Sequence, residues 1–138
     1  KAKNSMIGKS NDSTPNRPEG ARFLDAPLVP IDLTQYTQQI RREQAWEKTD
    51  RNAITVYKSQ GMNIVLIALH KGAEMKRHTA AGIISLQVLE GLILFTTDDE
   101  SRELGKGHML ALHEKIPHSV MAKEESVFIL THAKSSSH

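Results

Sequence analysis

The fold is decided by residues 72–118. The stretch opens Gly72-Ala73-Glu74-Met75-Lys76-Arg77-His78, passes through Leu89-Glu90-Gly91 and Gly105-Lys106-Gly107, and closes on Ile116-Pro117-His118. Two histidines forty positions apart each follow a glycine-marked turn. Between them lie short β-rich segments at 82–90, 92–97, 101–104 and 108–112, broken by glycine and by the acidic run Asp98-Asp99-Glu100. Working outward, 53–59 and 62–70 precede them, joined by Gln60-Gly61, and 119–121 and 127–131 follow. Strands of this length, with turn signals every eight to twelve residues or so, predict an all-β sandwich or barrel. Strands do not alternate with helices, which excludes a doubly wound sheet.

Upstream the pattern changes. Leu33, Tyr36 and Ile40 recur at helical spacing behind Asp32, a residue suited to an N-cap, so a short helix with one buried stripe is expected there. The apolar segment 23–29 is expected to run along the β-domain as an edge strand or arm. Trp46, the only tryptophan, is expected to pack this N-terminal region onto the domain or onto a second subunit. Residues 1–20 and 134–138 are polar and read as disordered tails, because such compositions bury too little to repay ordering entropy. The expected organisation is thus a tail at 1–20, an arm and helix at 21–50, a β-barrel at 51–133 and a closing tail at 134–138.

Composition narrows the function classes. At 138 residues the chain is one domain with room for a core, and 38% apolar with 25% charged residues is ordinary for a globular protein. The net charge of +2 is uneven: residues 1–22 carry five Lys/Arg against two Asp/Glu, whereas the rest hold thirteen against fourteen. The body is therefore neutral, and none of its few aromatics interleaves with a basic run, so no nucleic-acid partner is expected. The longest apolar run, 64–69, is too short to cross a bilayer, and no N-terminal segment resembles a signal peptide, so no membrane partner is expected. Zero cysteines remove disulfides and thiolate chemistry and suit a cytoplasmic location. The Asn11-Asp12-Ser13 tripeptide fits a glycosylation sequon but has no secretion signal beside it. Phosphate loops, dinucleotide fingerprints and nucleophile elbows are all missing.

The two glycine-marked histidine turns resemble the paired motifs of the cupin superfamily, in its small single-domain, cupin type 2-like form. The resemblance spans about residues 60–132. It implies an antiparallel double-stranded β-helix, or jelly-roll barrel (RmlC-like), with an N-terminal arm and one short helix. The first family motif carries His-x-His and, on the next strand, a Glu; the second supplies another His. Residues at i and i+2 of a strand share a face, so such a set converges on one metal. Anchored on Gly91, the first His position falls on His78, the second on Ala80 and the Glu on Ile84. His118 takes the place of the last His.

The resemblance therefore implies a degenerate metal motif, with His78 and His118 as the two remaining candidate ligands for a divalent Zn, Fe, Mn or Ni ion. A firm site of this kind uses three or four protein ligands, so a metal here is expected to be weakly held. His113 is a candidate third group at the pocket mouth, and Glu74 a candidate substitute carboxylate. Ala80, Ile84 and Leu86 are expected to line a largely apolar pocket, the usual character of a small-molecule site. The expected function is a small molecule held in the barrel. The alternative is a metal-dependent dioxygenase or isomerase using His78 and His118, and whether the chain is an enzyme stays open. A homodimer through the arm is expected.

Overall fold

Most strands follow from which side chains must leave water. In β3 (Arg51–Lys58) the buried positions Asn52, Ile54 and Val56 alternate with more exposed ones, and in β6 (Ile83–Glu90) Ile84, Leu86 and Val88 do the same. β4 (Met62–Leu69) is apolar almost throughout because both its faces are covered: Ile67 and Leu69 point to one cluster, Leu66 and Ala68 to another.

The computed structural model describes residues 10, 11 and 22–134. In chain order the elements are β1 (Ser10–Asn11), β2 (Arg22–Phe23), α1 (Leu33–Ile40), α2 (Gln44–Lys48), β3, β4, β5 (Glu74–His78), β6, β7 (Leu92–Thr97), β8 (Ser101–Gly105), β9 (Met109–Leu112), β10 (His118–Ala122) and β11 (Ser126–Ala133). A five-stranded sheet runs β3-β4-β11-β6-β9, and a four-stranded sheet runs β5-β10-β7-β8. Every pairing in both is antiparallel. The expected jelly-roll is present, as two facing sheets that do not close into a continuous barrel.

Two apolar clusters hold the molecule together. The first lies between the sheets and joins Leu86, Val88 and Phe128 of the larger sheet to Ile93, Phe95, Leu104 and Val120 of the smaller. The second lies outside the larger sheet, where Ile40 and Trp46 cover Ile54, Val56, Leu66 and Val127. α1 begins where the aspartate was expected to cap it: the Gln35 backbone N–H donates to Asp32 Oδ1 at 3.1 Å. α2 was not anticipated, since five residues leave no periodicity to read. Glu43, 8% exposed, joins both helices to β3 by accepting from Gln39 Nε2 at 2.8 Å and from Asn52 Nδ2 at 2.9 Å.

The arm differs in detail from its expectation. The segment 23–29 adds no strand to the larger sheet; among its described side chains Leu24 is the buried one, and its carbonyl accepts from the Lys58 N–H at 3.0 Å. Trp46 packs on its own domain, stacked on His70 with ring centroids 3.4 Å apart. The expected tail at 1–20 lies outside the described residues except for Ser10 and Asn11, which pair with Phe23 and Arg22. Residues 135–138 of the closing tail also lie outside them. Lys134 is tied to the β3–β4 turn, its N–H donating to Gly61 O at 2.9 Å and its ammonium to Ser59 O at 2.8 Å.

The two flanks of the sandwich are unlike. On one, Arg51 of β3 donates through Nη2 to the Glu74 carbonyl of β5 at 2.7 Å, tying the sheet edges together. On the other, edge strands β8 and β9 belong to different sheets and share no pairing, and a gap lies between them.

Candidate functional site

β5, β7 and β9 end at one end of the sandwich, where β6, β8 and β10 begin. His78 is the last residue of β5, His118 the first of β10 and Thr97 the last of β7. In the pairing register His118 lies opposite His78 on one side and Thr97 on the other, so the three share one row on the inner face of the smaller sheet. A β-bulge makes this possible. Val120 pairs with Met75 and His118 with His78, so two steps on β10 match three on β5. Without the extra residue, Met75 and His78 would face opposite sides of the strand; with it both face inward.

The imidazoles touch. Their ring centroids are 4.3 Å apart with planes tilted by 59°. His78 Nδ1 donates to the Lys76 carbonyl at 2.7 Å and His118 Nδ1 to the Ile116 carbonyl at 2.9 Å. A carbonyl only accepts, so Nδ1 carries the proton on both rings and each Nε2 keeps its lone pair in the neutral state. Phe95 stacks behind His118 with centroids 5.4 Å apart and planes within 12°. His118 is 4% exposed, whereas His78 is open to solvent.

Burial pushes the His118 pKa below the usual imidazole range. The Ile116 carbonyl pulls it up, and charge on His78 pushes it further down. The fold therefore prefers neutral His118, while the unfolded chain takes the proton at about pH 6.5. The stability this provides is complete above that pH and is lost as the pH falls toward the folded-state value. Between about pH 7 and pH 5 the melting temperature is expected to fall, with a shallower slope in His118→Asn, whose amide keeps the donor to Ile116 but does not titrate. Equal slopes in thermal melts of the two proteins would show that His118 is not the group responsible.

The other expected site residues separate. Ile84 is 3% exposed and pairs with Leu112 of β9 and His132 of β11. Leu86 is 1% exposed and packed in the inter-sheet core. Ala80 is half-buried, and its carbonyl accepts from the Lys115 N–H at 2.9 Å. His113 does not reach the pair: its side chain is 84% exposed, with Glu114 3.7 Å away. Glu74 is also exposed, and Arg77 beside His78 is engaged with both carboxylate oxygens of Asp98 at 2.9 and 3.1 Å.

The space lies one side chain away from the histidines, in the gap between β8 and β9. A cavity of about 190 Å³ is walled by Phe95, Leu110 and Leu112, with Thr97 and Ala111 also lining it and the exposed Glu100 and Arg102 at its rim. Sequence reasoning missed this wall. Leu110 and Leu112 were legible as a strand, but nothing in the chain showed that β9 and β8 would lie unpaired against each other. Thr97 and Phe95 connect cavity and histidine pair, one as register partner of His118 and the other as its stacking partner.

A metal does not fit this donor set firmly. The pair supplies two imidazole nitrogens, the remaining ligand positions of the motif hold Ala80 and Ile84, and among the described residues no group of three His, Cys, Asp or Glu side chains is placed to hold an ion. No helix among the described residues is long and apolar enough to cross a membrane.

No family model matches the chain, and no curated protein matches it. Solved structures do. A conserved protein of unknown function from Streptococcus pyogenes is 28% identical, with 78% of this chain and 89% of that one covered at a TM-score of 0.65. An RmlC-like cupin from Desulfovibrio desulfuricans is 27% identical over 60% of this chain and 81% of that one, at 0.56. A cupin-2 domain protein from Shewanella frigidimarina, 17% identical, covers 75% of this chain and 94% of its own at 0.61, a likeness of fold. With two facing antiparallel sheets in jelly-roll order, a cross-strand histidine pair at the motif positions and these neighbours, the chain has the cupin fold.

Proposed function

We propose that this cupin binds a small organic molecule in the gap between β8 and β9, with the imidazole pair at the inner end of the site and no resident metal centre. The observation that carries this reading is the cavity itself: apolar walls of Phe95, Leu110 and Leu112, and, paired in register with the lining residue Thr97, a buried imidazole whose Nε2 has no hydrogen-bond partner among the described residues. Apolar lining with a few placed polar groups is the usual composition of a ligand pocket. At about 190 Å³ the space suits a ligand smaller than a typical drug-sized molecule. Neutral His118 offers an acceptor there, so a ligand hydroxyl or N–H reaching past Thr97 has a partner.

The test combines a filled cavity with metal analysis. Ligand-observed NMR against a library of small organic molecules is expected to give hits on the wild-type protein that vanish in Leu112→Trp, whose indole occupies the gap from an edge strand. Unchanged hits in that variant, or none with the wild type, would overturn the site. Protein purified from medium supplemented with zinc, iron, manganese and nickel is expected to hold well under one equivalent of metal. A full equivalent that disappears in His78→Ala would replace this reading with a metal-dependent enzyme.

A further inference from the structure

The rim of the β8–β9 gap carries a charge that the apolar pocket alone does not explain. Arg102 lies directly opposite Phe95 in the β7–β8 register, and Leu104 opposite Ile93. Directly opposed residues share a face. Since Phe95 and Ile93 are buried between the sheets, Arg102 belongs to the same inner face as the core, although β8 is an edge strand and the Arg102 side chain is 72% exposed. The outer face of that hairpin is marked by Thr96 and Ser101, which are also opposed and whose hydroxyls lie 3.0 Å apart. An inward-facing cation at a sheet edge is a known device against edge-to-edge pairing. Here it also borders an unfilled space.

Its hydrogen bonding is incomplete. Arg102 donates through Nε to Glu100 Oε1 at 2.8 Å, and neither Nη group has a partner among the described residues. A guanidinium carries five N–H donors in a planar fork, so one carboxylate on Nε leaves a second donor edge available. The neighbouring guanidinium at this end, that of Arg77, is already held by Asp98. Arg102 is the described cation that borders the cavity.

We propose that the ligand of this site is a small carboxylic acid with an apolar body, its carboxylate held by the Nη edge of Arg102 and its body lying between Phe95, Leu110 and Leu112. This rests on the binding reading above and adds a ligand class to it. Glu100 works against the anion. It lines the same rim, it is exposed, and its charge offsets part of that of Arg102. Neutralising the two residues therefore shifts affinity in opposite directions, a signature that general damage to the fold does not produce.

The experiment uses matched probes: hexanoate against 1-hexanol, and benzoate against benzyl alcohol, titrated into the full chain and followed by protein-observed NMR shifts. Each carboxylate is expected to bind about fivefold more tightly than its alcohol, the size of effect a largely exposed charge supports. Arg102→Gln is expected to erase that preference by weakening the carboxylates, with the alcohols changed far less. Glu100→Gln is expected to strengthen carboxylate binding, and added salt to weaken it in the wild type. Alcohols binding as tightly as carboxylates, with Arg102→Gln silent, would overturn the ligand class and leave the pocket reading standing. Absence of any binding by both probe types, in wild type as in Leu112→Trp, would overturn both.

Discussion

Phe128→Ala is expected to cost about 3–5 kcal/mol of folding stability, the usual loss for emptying a buried phenylalanine site. Phe128 is fully buried in β11, the middle strand of the larger sheet. It lies opposite Ile67 on one side and Val88 on the other, and it belongs to the cluster that includes Ile93, Phe95 and Val120 of the smaller sheet. No helix can collapse into the void, because both walls are hydrogen-bonded sheets. Since whole domains are stable by only about 5–15 kcal/mol, the variant should show a large drop in urea midpoint. The same core positions Phe95 behind His118, so the histidine pair should loosen as well, visible as averaged imidazole resonances. A loss under about 1 kcal/mol would mean that the two sheets are not packed through this ring.

Gly91→Ala is expected to be nearly as damaging, at about 2–4 kcal/mol, from two separable causes. Gly91 makes the turn between β6 and β7 with φ at +93°, a region where a side chain is strained. A Cβ there would also overlap the Glu125 carbonyl oxygen and the Ser126 hydroxyl. That hydroxyl is already committed, accepting from the Leu92 N–H at 3.0 Å and lying 2.7 Å from the Glu124 carbonyl. Gly72 and Gly61 separate the two causes. Gly72 has φ at +88° with nothing within 4 Å of a built Cβ, so Gly72→Ala reports strain alone, about 1–2 kcal/mol. At Gly61 a built Cβ is equally free and φ lies outside that region, so Gly61→Ala should change stability by no more than about 1 kcal/mol and in the stabilising direction. Equal effects of all three substitutions in chemical denaturation would contradict this account.

Reading the chain from sequence went furthest where the rule is local. Asp32 ahead of Leu33, Tyr36 and Ile40 specified α1, since an N-cap and a stripe each involve residues within one or two turns. Leu92–Thr97 was placed to the residue because a glycine and an acidic turn bound it. Glu74–His78 was seen as a motif rather than as a strand, because Glu-Met-Lys-Arg-His has neither β-branched residues nor alternation. Its pairing with β10 makes it a strand, and only a neighbour distant in the chain supplies that.

The candidate site divides in the same way. The identities of His78 and His118 and the alkyl residues at the other motif positions are properties of the sequence, and they already weaken a metal centre. That the two imidazoles meet depends on a bulge, which alternation cannot foresee because it adds one residue to one strand of a pair. His113, five positions before His118, shows how little nearness in sequence guarantees: a turn carries its ring into solvent.

By itself, then, the sequence determined the all-β class and most strand and turn positions, because apolar periodicity and glycine-marked turns dictate which segments extend and where they reverse; the jelly-roll order was implied by the family resemblance. Tertiary structure alone decided where a ligand has room. One flank of the sandwich is tied by Arg51 to the Glu74 carbonyl and the other is left open between β8 and β9. That asymmetry comes from which strands end as edges and which side chains reach across them, and both depend on contacts between residues far apart in the chain.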